Sequence, residues 1–431
     1  MIYLRRISQL LFLALFFALF HHLGDSLGAP PHHHIFMYAS PLFALTGGSA
    51  GYWLAAGIAL LTIFLGGFFC GWVCPLGACI DIGDRVINLV RRKRKSAFPS
   101  QTRYLILLAV LLALFFGVNS AYLFQPSAIL LKAATFLTFP AEGVGLFTRW
   151  LFPAISLAII LLSFFQRRFY CCKICPEGAV YSLLALFSPL KRRIGEGCNA
   201  CAKCDIVCKG SERNDECFRC LSCEKACPKK IIKFKFSAPK APPAMDISRR
   251  GLLFSLGLGL TGVYLAKTAK PRDYIRPPGS QPEEHFAKFC IKCGECLKVC
   301  PTGGLQPCFS DFDNLFTPVL VPRIGYCEQR CHACSRVCPS DAIMSYKEDQ
   351  KAFMPIGKSA VNPPSCLAYQ GKVCLICLEH CSYQAIKKVL KKGLWVPEVI
   401  LEKCVGCGQC EFVCPARPNR AITVAPPANR E

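Results

Sequence analysis

A chain of 431 residues with 53% hydrophobic side chains, a mean hydropathy of +0.35 and 18% charged residues is too apolar for a single soluble globule and reads as partly membrane-embedded. Its 51 Lys and Arg against 27 Asp and Glu leave a net +24, which suits nucleic acid, an anionic membrane face or buried anions. The 31 cysteines, too many and too regularly spaced for chance, decide among these.

Apolar runs approaching a bilayer span cover residues 7 to 23, 49 to 69, 104 to 124 and 149 to 165, with a shorter fifth at 251 to 266. Arg5 and Arg6 precede the first run, Arg91, Arg92, Lys93, Arg94 and Lys95 separate the second from the third, and Arg167 and Arg168 follow the fourth. Residues 28 to 48 carry no Lys or Arg, so the positive-inside rule puts both ends of the four spans in the cytoplasm. The first run also fits a cleaved signal peptide ending near Gly28 and Ala29; an uncleaved span is preferred, and either leaves the later orientation unchanged.

One pattern occurs twice, behind the second and fourth runs: Cys70-Gly-Trp-Val-Cys74-Pro75-Leu-Gly77-Ala78 and Cys171-Cys-Lys-Ile-Cys175-Pro176-Glu-Gly178-Ala179. On a helix this CxxxC spacing sets both sulfurs on one face, one turn apart, where they form a disulfide, hold a metal or react as thiolates. The plain alternative is two helix ends with buried cysteines; the repeated Pro-x-Gly-Ala tail favours function.

Next come Cys198, Cys201, Cys204 and Cys208, then Cys217, Cys220, Cys223 and Cys227, each group spaced CxxCxxCxxxC. Three cysteines at two-residue gaps wrap one cubane while the fourth reaches the other cluster, so the expected sets are Cys198, Cys201, Cys204 with Cys227, and Cys217, Cys220, Cys223 with Cys208. Zinc needs four ligands rather than eight in interlocked runs, and disulfides do not suit a reducing compartment. Lys209 stands where a Pro usually follows the fourth cysteine, which loosens a turn but removes no ligand.

A Pro-rich linker at 237 to 247 leads to Ser248-Arg249-Arg250-Gly251, the fifth apolar run and a second Pro-rich stretch at 271 to 282. Paired arginines before a modest apolar run resemble a twin-arginine export signal; the alternatives are a signal-anchor helix, which also puts the last third outside, or a helix that packs on a domain without spanning. Four more groups follow: Cys290, Cys293, Cys296, Cys300; Cys327, Cys331, Cys334, Cys338; Cys366, Cys374, Cys377, Cys381; and Cys404, Cys407, Cys410, Cys414. In the third the first gap widens, and Ser382 replaces Pro. The tails running to Ile343, Ile386 and Ile422 are expected to start elements that cover the clusters, and spacing leaves the fourth-ligand pairing open. Cys79, Cys172 and Cys308 remain as buried structural thiols.

The expected fold is thus an α-helical membrane domain of four to five spans plus α+β ferredoxin-like 4Fe-4S modules. Its parts are the membrane domain at 1–195, a two-cluster module at 196–236, a linker with the twin-arginine-like segment at 237–284, and a four-cluster domain at 285–431. Six [4Fe-4S] clusters, about −2 each with their thiolates, take back about 12 of the 24 positive charges, so the basic bias needs no nucleic acid.

The two CxxxCP motifs on four spans, with the following pair of CxxCxxCxxxC motifs, resemble the NapH/NosR/CcoG group of membrane ferredoxin-type proteins over residues 1 to 235. From about 246 the twin-arginine segment and four motifs resemble the NapG/MauM ferredoxins, so the chain looks like a NapH-NapG fusion. That resemblance implies oxidation of quinol from the membrane quinone pool and electron transfer through the clusters to an extracytoplasmic or membrane redox partner, in a multi-pass protein of the cytoplasmic membrane. It ties Cys70, Cys74, Cys171 and Cys175 to quinol chemistry. A flavin domain like that of NosR has no counterpart, so the terminal reaction lies elsewhere. The CcoG resemblance suggests a second function, a copper reductase or assembly factor, with His32, His33 and His34 as possible ion ligands or simply a solvated loop. A redox sensor is a third class, but six clusters exceed what a sensor needs. With residues 196–236 inside and 285–431 outside, electrons face about 30 Å of hydrocarbon with no haem ligand pair in the spans.

Overall fold

The computed structural model describes residues 2–25, 35–44, 52–90, 101–116, 118–138, 146–199, 201, 203–208, 216–237, 249–268, 274–309, 314–391 and 393–427. They divide into two compact units, one of Met1–Asp25, His32–Leu137 and Trp150–Leu265, the other built on Ala266–Glu431.

The first unit is helical. In the helix Ile2–Asp25, Arg5, Gln9, Phe16 and Phe20 form one buried stripe while Leu4, Ile7, Leu11 and Leu15 face outward. Its segment Tyr3–Phe20 is long and apolar enough to cross a bilayer, whereas Tyr52–Leu65, Thr102–Phe115, Pro126–Leu137 and Trp150–Phe164 are apolar but shorter. The second expected run is not continuous: Gly66 takes φ +75°, which L side chains avoid, so the helix stops at Leu65 and restarts as Phe68–Trp72. The third run also stops early, at Phe115, and a helix not expected from the sequence starts at Pro126, whose fixed φ suits a first helical position. The fifth run forms the helix Arg249–Thr268.

Two antiparallel strands, β1 (Leu190–Ile194) and β2 (Ile232–Phe236), pair from Leu190↔Phe236 to Ile194↔Ile232 and close the Cys198–Cys227 segment into a loop. The short helices Lys203–Val207 and Ser222–Ala226 pack against each other inside it.

The second unit has little regular structure, as expected where cysteine nests replace a large core. Its ribbons are antiparallel: β3 (Leu305–Pro307) with β4 (Pro318–Leu320), β5 (Lys358–Val361) with β8 (Ile422–Ala425), and β6 (Ile386–Lys391) with β7 (Leu394–Val399). Ile386 and Ile422 begin strands, as the tails led one to expect, whereas Ile343 starts no element and makes only an isolated bridge to Ser280. One core gathers Phe286, Leu305, Leu320 and Ile343 around Cys290 and Cys296, and another gathers Ala368, Val396 and Ile422 around Cys366, Cys410 and Cys414.

Candidate functional site

In the first ferredoxin module Cys223 lies beside Cys220 and Cys217, and the guanidinium of Arg192 serves Cys223, Cys208 and Cys217 together. Cys208 thus lies near Arg192 together with cysteines of the second run, the side on which the interlocked pattern expects it. Cys198, Cys201, Cys204 and Cys227 are left as the expected other set; backbone N–H groups of Ile231, Lys229, Ile232 and Lys230 hold the Cys227 thiol below its usual pKa. Arg219 and Leu221, either side of Cys220, are left-handed at φ 50° and 59°. The same alternation recurs at Lys292 and Gly294 around Cys293, and at Gly406 and Gly408 around Cys407. Left-handed residues turn successive N–H groups to one side, making an anion nest of the kind iron-sulfur sites use. Spacing alone does not reveal this backbone.

In the C-terminal array two cavities sort the cysteines of the first two runs. Cys290, Cys293, Cys296 and Cys338 line one cavity, and Cys327, Cys331, Cys334 and Cys300 line another. Cys377 lies near Cys410, Cys366, Cys374 and Cys414, while Cys407 lies near Cys410, Cys327 and Cys381, and Cys410 near Cys404 and Cys381. In the first two runs the last cysteine thus lies with its neighbour's set, and in the other two Cys414 lies near Cys377 while Cys381 lies near Cys407 and Cys410. Backbone N–H groups point at the crossing sulfurs: Ile343 to Cys338 and Ala421 to Cys414 at 3.4 Å, Ala385 to Cys381 at 3.2 Å. Cys327 N–H donates to the Cys407 carbonyl at 2.8 Å, so the second and fourth sets are joined by a backbone hydrogen bond.

Burial raises these thiols, Cys290 and Cys410 to about 11, Cys377 and Cys407 to about 12. Such sites favour a group that takes up thiolate charge on binding. No three His, Cys, Asp or Glu among the described residues converge tightly enough to share one ion, whereas a cubane spreads its four thiolates over its own width. All-thiol donor sets, N–H···S bonds and cavities fit [4Fe-4S] clusters.

In the helical unit Cys70, Cys74, Cys171 and Cys175 come together in one core with Phe69, Leu76, Ile80, Tyr170 and Tyr181. The expected single helical face is corrected: Cys70 lies in the short helix Phe68–Trp72, Cys171 in a π-helical turn Tyr170–Ile174, and Cys74 and Cys175 at the breaks that follow. Pro75 and Pro176 force those breaks, since the residue before a proline avoids the helical region. Asp81 lies beneath, accepting from Arg168 Nε at 2.9 Å, Gln9 Nε2 at 2.8 Å and the Arg5 guanidinium, all buried. Arg168 Nη1 donates to the Cys70 carbonyl at 2.7 Å, and the guanidinium covers the Phe218 ring at 4.9 Å. Trp72 Nε1 donates to the Arg219 carbonyl at 3.1 Å. The Cys217–Cys220 loop is therefore seated on the first CxxxC segment.

Of the remaining thiols Cys172 and Cys308 are buried and Cys79 is half-buried, and none is in a disulfide. His32, His33 and His34, Gly28 and Ala29, Arg91 to Lys95, Lys209 and the linker's 238–248 stretch lie outside the described residues.

Family models described as 4Fe-4S binding domains match residues 48–96 with 148–195, residues 285–306 and residues 395–416. The chain is 34% identical to the methylamine utilization ferredoxin-type protein MauM of Paracoccus denitrificans over 179 residues, 39% of this chain and 79% of that protein. It is 32% identical to the ferredoxin-type protein NapG of Escherichia coli over 189 residues, 39% of this chain and 80% of that one. A third relative, the regulatory protein NosR of Pseudomonas aeruginosa, is 30% identical over 201 residues, 43% of this chain and 28% of NosR. No solved structure matches. With cluster nests in place and MauM and NapG matched over most of their own length, the chain belongs to the family of MauM and NapG ferredoxin-type iron-sulfur electron-transfer proteins.

Proposed function

We propose that this chain is a multi-pass protein of the cytoplasmic membrane that oxidises quinol and passes the electrons through six [4Fe-4S] clusters to a partner reductase. The observation that carries the reading is an apolar cavity of about 310 Å³, whose walls include Phe12, Ile58, Thr62, Phe69 and Val73. Phe69 and Val73 flank Cys70 in sequence, and the same short helix carries Trp72, which holds the Cys217–Cys220 loop. An apolar site, a thiol pair and a cluster nest thus meet on five residues.

The chemistry assigned to each part follows. The clusters supply one-electron acceptors. Quinol loses two electrons and two protons, so a proton acceptor belongs near the cavity. Ala39 lines the cavity, its carbonyl accepts from Tyr181 Oη at 3.0 Å, and that hydroxyl lies 3.5 Å from Oε1 of buried Glu177. Glu177 is assigned as the acceptor of one of the two protons. Membrane embedding rests on the outward-facing apolar residues Trp53, Leu60, Phe64, Phe115, Leu157 and Leu161, more than a soluble surface leaves uncovered. The orientation keeps 196–236 in the cytoplasm and 285–431 outside. Replacing Ile58 by Trp should fill the cavity and slow cluster reduction by a short-chain quinol at least tenfold, leaving reduction by dithionite unchanged; equal quinol rates would refute the site.

A further inference from the structure

We infer that Cys70, Cys74, Cys171 and Cys175 bind a seventh cluster, of the [4Fe-4S] type, inside the helical unit. Four thiols from two remote segments are brought into one buried core, and none is paired in a disulfide. A disulfide between neighbours would use two; the fold assembles four.

The local build repeats that of the ferredoxin nests. Gly77 N–H points at Cys74 Sγ and Gly178 N–H at Cys175 Sγ, both at 3.4 Å, the distance found at Cys338 and Cys414. N–H donors aimed at sulfur favour thiolate over thiol, a waste at a merely structural buried cysteine. The two halves are also built alike. A Cβ on Gly77 would lie 3.0 Å from the Cys70 carbonyl oxygen and one on Gly178 3.1 Å from that of Cys171, so both glycines allow the same close chain approach. Arg168, fixed by Asp81, keeps its charge beside the Cys70 carbonyl, where an anionic cluster needs a cation.

The ligand type follows from two further observations. The thiols do not converge on a single-ion site, the same behaviour as the 24 cysteines of the ferredoxin runs. The family match over 48–96 and 148–195 is to a 4Fe-4S binding domain, yet those residues contain no CxxCxxCxxxC run; their cysteines are these four with Cys79 and Cys172. The site goes beyond the quinol reading and stands whether or not quinol is the donor.

The test is iron and acid-labile sulfide per full-length chain, purified anaerobically in detergent, beside the Cys74→Ala/Cys175→Ala variant. The parent should hold about 28 Fe and the variant about 24, with one fewer spin in EPR of the reduced protein. Equal iron in the two, or copper or zinc bound in place of iron at these thiols, overturns the proposal. If the variant fails to fold, native mass spectrometry of the parent decides by counting seven clusters or six. A parent well below 24 Fe counts against the six-cluster reading, while the difference between parent and variant still decides this site.

Discussion

Crossed ligation in the C-terminal array makes a prediction that runs against the order of the sequence. Cys338 ends the run that starts at Cys327, yet it lines the cavity of Cys290, Cys293 and Cys296, while Cys300 lines that of Cys327, Cys331 and Cys334. Cys338→Ser should therefore damage the cluster of the preceding run. Adding Cys290→Ser strikes the same cluster and should cost nothing more, so the pair loses about four Fe and four sulfides. Adding Cys327→Ser strikes a second cluster, and that pair should lose about eight. Iron and sulfide assays on protein purified anaerobically separate the two by about four Fe per chain. The reverse result, eight lost with Cys290→Ser and four with Cys327→Ser, would show that each run ligates its own cluster and refute the crossing.

Other consequences are equally accessible. Asp81→Ala leaves Arg5 and Arg168 buried without their shared carboxylate and should destabilise the helical unit by about 3–5 kcal/mol, read as a lower thermal midpoint in detergent; an unchanged midpoint would show that the network is not buried as described. Because burial raises the C-terminal thiols to about 11–12, each must give up a proton to ligate iron, so clusters should hold iron better as pH rises toward about 11 and yield it to a chelator progressively faster as pH falls. Iron release independent of pH would contradict this. Alkaline phosphatase fused after Glu283 should be active and after Lys233 silent, and activity at both or neither would refute the orientation. Arg249→Lys/Arg250→Lys keeps the orienting charge but not the planar fork, so loss of the outer domain in that variant would indicate twin-arginine export and normal insertion a plain anchor.

Much of the cluster chemistry is legible in the sequence because ligand spacing is local. The CxxCxxC gaps mark loops that wrap one cubane, and the nests at Cys217, Cys290 and Cys404 adopt a shared backbone. Which fourth cysteine completes which set is not local: it depends on how runs about 40 residues apart fold against each other. Apolar runs marked the helices but not their breaks, since Gly66 with φ +75° and Pro126 act through backbone geometry that a hydropathy window ignores. The Arg5, Asp81 and Arg168 network was invisible because its members lie 76 and 87 residues apart. The seating of Phe218 on the CxxxC segment has a faint signal in Gly71, where a Cβ would come within 2.1 Å of the Phe218 carbonyl oxygen. A small residue between Cys70 and Trp72 is noticeable in the sequence, but its reason needs the partner loop.

The central claim is that electrons enter from quinol at the helical unit and reach the clusters. The direct measurement is an anaerobic titration of the oxidised full-length protein in nanodiscs with a short-chain quinol, following cluster absorbance and EPR. The account predicts bleaching of the iron-sulfur band and the appearance of reduced-cluster signals with quinol alone, at a rate that falls in the Ile58→Trp variant. Clusters that dithionite reduces fully but quinol leaves oxidised, in a protein with its iron intact, would contradict it.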